Sequence, residues 1–88
     1  MDSTWHVYII ESAKTNTLYT GICKGDIARR VKEHNTSHHR RGAKRTRVGR
    51  PWILVYSEPA ASRSEASKRE IAIKKLSRSQ KLVLIAKR

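Results

Sequence analysis

Two helical stripes in this chain carry groups that a protein interior does not normally accept. Ile27, Arg30, Val31 and His34 fall at i, i+3, i+4 and i+7 in the segment IARRVKEH, so they share one face of a helix. Glu70 stands in a second stripe, four residues after Ala66 and three before Ile73. Upstream, Tyr8 and Tyr19 sit in two short apolar segments. These residue types have complementary chemistry. A guanidinium offers a planar fork to the oxygens of an anion. A carboxylate is an oxygen ligand for hard cations, and phenols and imidazoles move protons. Burying a charge costs several kcal/mol unless it is paired or opens on a solvated cleft. Two readings follow. Either Arg30 and Glu70 form a structural salt bridge beside two core tyrosines, or the four groups line a cleft at the rim of the fold.

The elements that must position them are legible in outline. Residues 5–10 alternate as a strand, and residues 17–22 form a second, with ESAKTN between them as a hairpin loop. A register that pairs Ile10 with Thr17 puts Tyr8 opposite Tyr19, so that both phenols lie on one sheet face. Gly25-Asp26 breaks the second strand, and Asp26 is an N-cap for a helix to about Asn35. Residues 36–51 are polar and basic without periodicity, hence a loop. Residues 52–56 (WILVY) read as a third strand, apolar enough to be central, which Pro59 closes. Ser62 and Glu65 match a capping box that starts a helix to about Leu76. Ser77 and Gln80 match another, opening a short terminal helix. The order is β-β-α-β-α-α. The expected architecture is α+β, a small three-stranded, mostly antiparallel sheet flanked by helices, in a single domain spanning 1–88.

Charge narrows the partner. Twenty Lys and Arg against seven Asp and Glu leave +13 on 88 residues. Ten of the basic residues lie between Lys24 and Arg50 and nine between Arg63 and Arg88, so the excess belongs to the whole chain and not to a tail. So basic a domain repels itself unless a polyanion is near, and nucleic acid is the commonest one. No basic helix has an apolar side for lipid, and no segment approaches the ~20 apolar residues of a membrane span. The start of the chain lacks the pattern of a secretory signal. One cysteine, Cys23, excludes an internal disulfide framework and fits a reducing cytoplasm. Lys24, Arg29 and the loop residues Lys44, Arg45, Thr46 and Arg47 are the candidates for phosphate contact. His34, His38 and His39 lack the spacing of a zinc ligand set. Trp5 and Trp52 read as core.

VYI at 7–9, YTG at 19–21, RVKEH at 30–34 and the glutamate within EASKREIAIK at 65–74 together resemble the GIY-YIG nucleases, over about residues 5 to 85. Val7 stands in place of the first motif's glycine, and Thr20 in place of the second motif's isoleucine. The resemblance implies hydrolysis of DNA phosphodiester bonds with one divalent ion, Mg²⁺ or Mn²⁺, held by Glu70. It implies that a tyrosine and a nearby water supply the nucleophile and that Arg30 stabilises charge on the phosphate, with His34 orienting or helping to deprotonate a phenol. An unperturbed phenol, with a pKa of about 10, is too weakly ionised to act as a base at neutral pH. A bound cation and Arg30 would favour the phenolate. The choice between Tyr8 and Tyr19 stays open, with Tyr19 favoured.

The chain departs from the family pattern at three points. The interval from Tyr19 to Arg30 is one residue longer than usual. Lys24 is displaced from the place where a lysine often follows the second motif. No asparagine follows Asn35. On this reading Tyr8, Tyr19, Arg30 and Glu70 converge on one exposed cleft within roughly 10 Å, the scale of one metal and one phosphate. Preference for a DNA structure over a sequence is expected, since the chain has no room for an attached DNA-reading domain; RNA stays open as a substrate. The competing readings are a non-catalytic nucleic-acid-binding module and an accessory subunit with the nuclease fold.

Overall fold

Val7, Tyr8, Ile9 and Ile10 are four consecutive residues, each no more than 1 % exposed. Neighbouring strand residues point to opposite faces, so such a run must be covered on both sides. That makes β1 (Trp5–Ser12) the centre of the sheet, with β2 (Leu18–Lys24) and β3 (Trp52–Ala60) antiparallel on either side in the order β2-β1-β3. A computed structural model describes residues 3–36 and 50–87 of the chain. Lys44, Arg45, Thr46 and Arg47, with His38 and His39, lie outside the described residues.

Among the described residues three helices flank the sheet: α1 (Ile27–Asn35), α2 (Arg63–Lys74) and α3 (Arg78–Ala86). The carboxylate of Asp26 accepts the Arg29 N–H at 3.3 Å and caps α1, as its position in sequence predicts. Ser62 accepts from the Glu65 N–H to start α2, and Ser77 with Gln80 forms a reciprocal capping box at α3. Ile27 and Val31 of α1 pack with Tyr8 and Ile10 on one face of the sheet. Ala66 and Ile73 of α2 pack with Val7 and Ile9 on the other, joined by Leu84 and Ile85 of α3. The sheet is therefore a middle layer with α1 on one side and α2 and α3 on the other. Arg69 holds α2 to β3, with its Nε 3.0 Å from both carboxylate oxygens of Glu58, which also accepts the Tyr56 hydroxyl proton at 2.7 Å.

Two expectations are corrected. The WILVY strand is an edge, not the centre, and it runs through Pro59 to Ala60. An edge strand tolerates proline because one row of its amides has no partner to lose. Its apolar residues serve both faces: Trp52 and Leu54 join the α1 side, while Val55 and Tyr56 join the α2 side. A register slip opposite Ile9 and Ile10 places Val55 and Tyr56 together in this way.

The second correction concerns the first hairpin. Ile10 pairs with Tyr19, and Tyr8 pairs with Gly21. The strand continues through Ser12, whose Oγ accepts the amides of Lys14 and Thr15, and the Ser12 amide donates to the Thr17 carbonyl at 2.9 Å. Asn16 takes the left-handed conformation that closes so short a turn, at φ 61°. The register thus moves by two residues. A shift of two preserves the face, so both phenols still lie on the α1 side, diagonal to each other.

Candidate active site

The cluster on the α1 side is built around a buried phenol. Tyr8 Oη lies 2.9 Å from His34 Nε2, and the Arg30 guanidinium is near enough for its charge to act on the same phenol. The phenol and the imidazole thus share one buried hydrogen bond. Arg30 is in turn held by Glu33, whose Oε1 lies 2.8 Å from its Nη1. Glu33 follows Arg30 by three residues, so a local helical pair takes the place of the Arg30–Glu70 bridge.

Gly21 makes room for this arrangement. An ideal Cβ at position 21 would stand 2.6 Å from Tyr8 Oη and 2.8 Å from Tyr8 Cζ. The second motif's glycine is therefore a seat for the first motif's tyrosine across the strand pair.

Burial sets the protonation states. Desolvation pushes the Tyr8 phenol up to about 12 in spite of Arg30, so it is neutral throughout the physiological range. His34 has no exposed surface, and burial followed by the Arg30 charge lowers its pKa to about 4. A neutral, fully buried histidine does not act as a charged partner of the helix C-terminus. Between pH 6.5 and about 4 the unfolded chain takes up a proton that the folded imidazole refuses. Stability from this site is thus full above pH 6.5 and falls as the pH drops toward 4. The loss should total on the order of 3 kcal/mol, at about 1.4 kcal/mol per pH unit. Denaturant unfolding from pH 7 to 4.5 checks it: the fall in midpoint should be markedly smaller in His34→Gln.

Tyr19 differs from Tyr8. It is half-buried, on the edge strand, with its ring edge-on to His34 at 5.3 Å between centroids and to Trp52 at 6.3 Å. The end of α1 that carries His34 is pinned from β3. Asn35 accepts the Trp52 amide at 2.6 Å and donates to the Trp52 carbonyl at 3.0 Å, while Arg50 Nε donates to the His34 carbonyl at 3.0 Å. Trp52 is buried, as read from the sequence, and Trp5 is half-buried.

Glu70 does not join the phenols on their face. Its stripe is as the spacing predicts, with Ala66 and Ile73 buried and Glu70 between them, but α2 covers the opposite side of the sheet. Its Oε2 lies 3.3 Å from Lys74 Nζ, one helical turn on. The expected single cleft with all four groups on one face is thus divided by the sheet. A common substrate atom would have to sit at the free edge of β2, where groups from both faces can reach round. Cys23 is buried, and desolvation raises its pKa, so it is held as the thiol.

Among the described residues no three His, Cys, Asp or Glu side chains gather as a metal cage. The donor present suits a different kind of site. Mg²⁺ keeps several waters and binds through one or two carboxylates plus substrate phosphates. Glu70 is a half-buried carboxylate whose side chain is 22 % exposed. Its i,i+4 pair with Lys74 is worth only ~0.3–0.5 kcal/mol, which a divalent cation readily displaces.

Of the predicted phosphate-contacting residues, Lys24 is exposed at the end of β2, and the Arg29 side chain is 77 % exposed on α1 with Glu33 3.8 Å away. Sequence reasoning missed Gly21, Glu33, Asn35 and Arg50. Glu33 was visible as an i,i+3 partner of Arg30; the others act across strands or between elements, where the sequence carries no spacing.

The family model described as "GIY-YIG catalytic domain" matches residues 4–82. A UPF0213 protein of Desulfotalea psychrophila is 54 % identical over 92 % of this chain and 70 % of its own length. One from Staphylococcus haemolyticus is 45 % identical, covering 94 % of this chain and 95 % of its own. Among solved structures, the solution NMR structure of a UPF0213 protein from Bacillus halodurans superposes with a TM-score of 0.57 at 36 % identity, over 94 % of this chain and 83 % of that one.

Proposed function

Because the chain belongs to the GIY-YIG catalytic-domain family, we propose that it is a cytoplasmic, divalent-metal-dependent endonuclease that cuts DNA, selecting by structure more than by sequence. The observation that carries this reading is the linked array of Arg30, Tyr8 and His34 beside a partly exposed Tyr19. Glu33 holds the arginine at 2.8 Å, which orients its remaining N–H groups without the entropy loss of ordering a free side chain. A guanidinium so fixed suits a phosphate whose charge grows in the transition state.

The phenols divide the labour. Tyr8 is buried, hydrogen-bonded to His34 and raised to about 12, so it positions His34 beside Arg30 and does not accept a proton. Tyr19 is the phenol with access to solvent, and its phenolate is assigned as the proton acceptor from the attacking water, becoming the neutral phenol. His34, neutral at pH 7, holds Tyr8 by a hydrogen bond and fixes the edge against which Tyr19 rests. Glu70 would hold the Mg²⁺ or Mn²⁺, which supplies positive charge beside the phosphate when bound.

Labelled DNA (duplex, single strand, flap and four-way junction) tests the reading, incubated with Mg²⁺, Mn²⁺ or EDTA. Cutting should require the divalent ion, and Tyr19→Phe should lower the rate by about 10²–10⁴. Wild-type cutting by Tyr19→Phe would remove Tyr19 from the chemistry. The rival reading, a binding module without turnover, draws on the Glu70–Lys74 pair and on the sheet between Glu70 and the phenols. It predicts binding without cleavage under every metal.

A further inference from the structure

Beside Arg30 the molecule has a cleft of about 640 Å³ at the end of β2, and its lining comes from both sides of the sheet. Trp5 and Ile22 belong to the α2-side core, Cys23 to the α1-side core, and Arg63 is the first residue of α2.

The charges of the cleft are unequal in kind. Its two carboxylates are engaged: Asp26 caps α1, and Glu33 pairs with Arg30 at 2.8 Å and Arg29 at 3.8 Å. Lys24 and Arg63 have no carboxylate partner among the described residues. Arg63 lies instead over the Trp5 ring, 5.8 Å from its centroid. Two cations without counter-charge thus line a hollow that also has an apolar lining of Trp5, Ile22 and Cys23.

That combination has a specific complement. A free inorganic anion uses the cations but not the apolar lining. A nucleotide uses both, with its phosphate on the cations and its base against the aromatic and guanidinium groups. The volume lies within the range of small-ligand sites, which is ample for one nucleotide. A base locked in a duplex stack cannot enter a concave cleft, whereas an unpaired one can be turned into it.

We propose that this cleft receives one unpaired nucleotide of the substrate strand, adjacent to the phosphate held by Arg30, with its phosphate on Lys24 and its base against the Arg63–Trp5 pair. The assignment rests on the nuclease reading for Arg30 and adds the origin of structure selectivity. Selectivity then comes from the cost of freeing a base, which a bulge, flap or single strand has already met.

The test is equilibrium binding in EDTA, followed by the anisotropy of fluorescein-labelled duplexes identical except for one bulged nucleotide. Without metal nothing is cut, so the result does not depend on the roles of Glu70 or Tyr19. Wild type should bind the bulged duplex about tenfold more tightly than the paired one, the scale of one base stacked on a side chain. Arg63→Ala should lose that preference. Arg63→Lys, which keeps the charge but not the plane, should retain the affinity for paired duplex and lose most of the preference. Lys24 and Arg63 are both exposed, so these variants keep the fold, which circular dichroism verifies. Equal affinity of wild type for the two duplexes would overturn the proposal. So would a preference that survives in Arg63→Ala.

Discussion

Glu70→Ala should abolish metal-dependent cleavage, by a factor of about a thousand or more, while DNA affinity changes by less than about threefold. The rate follows from what one carboxylate holds: loss of about 4 kcal/mol of electrostatic stabilisation at the phosphate is about a thousandfold. The affinity follows from what Glu70 touches. Its pairing is with Lys74, at 3.3 Å on the same helix. Arg30 is held by Glu33 at 2.8 Å on its own helix, a pair that Glu70→Ala does not touch. Stability should change by less than ~1 kcal/mol, because an i,i+4 pair contributes little and alanine is the strongest helix former. Cleavage assays with Mg²⁺ and Mn²⁺, run beside binding in EDTA, separate the two quantities. Unchanged cutting in Glu70→Ala would remove the metal-holding role from the residue on which the resemblance places it. Loss of binding with loss of cutting would mean that α2 shapes the DNA surface directly.

Gly21→Ala should be strongly damaging although it adds a single methyl group. The added carbon would stand 2.6 Å from Tyr8 Oη and 2.8 Å from Cζ, distances at which one partner must move. Tyr8 has little freedom to move: it is 1 % exposed and hydrogen-bonded to His34. Overpacking costs about 1–3 kcal/mol, and each buried hydrogen bond broken leaves groups that cost about 1–3 kcal/mol more. A loss of about 3 kcal/mol is expected, seen as a fall of about 10–20 °C in Tm for a chain of this size. Activity should fall further than stability, because the displaced phenol releases His34. Tyr8→Leu removes the obstructing ring end, so Gly21→Ala should cost much less in that background. A double-mutant cycle reads this coupling, and additive effects would show that the glycine serves some other purpose.

Local signals explain why much of the site was legible before any coordinates. Arg30 and His34 share a stripe because 3.6 residues make a turn, and Asp26 starts that helix because its carboxylate accepts a helical N–H. Ala66, Glu70 and Ile73 align by the same rule. Even an incorrect hairpin register kept Tyr8 and Tyr19 on one face, since it was wrong by two residues and strand faces repeat every two. The place of WILVY in the sheet was misread for a related reason. Apolar content measures how much of a strand is covered, and β3 spends its apolar residues on two faces through a register slip while remaining at the edge.

The sequence by itself determined the residue types, the stripes that carry them, the order of elements and the family, because these depend on periods and motifs within one segment. Only the tertiary structure decided that Tyr8 is buried against His34 and that Tyr19 is partly exposed, since burial is set by what packs over a strand. It decided that Arg30 belongs with Glu33 and Tyr8, that Gly21 seats a ring from the neighbouring strand, and that the sheet stands between Glu70 and the phenols. The physical reason is common to all of these. A helix or strand fixes which side chains share a face, but only the packing of one element on another fixes what that face meets.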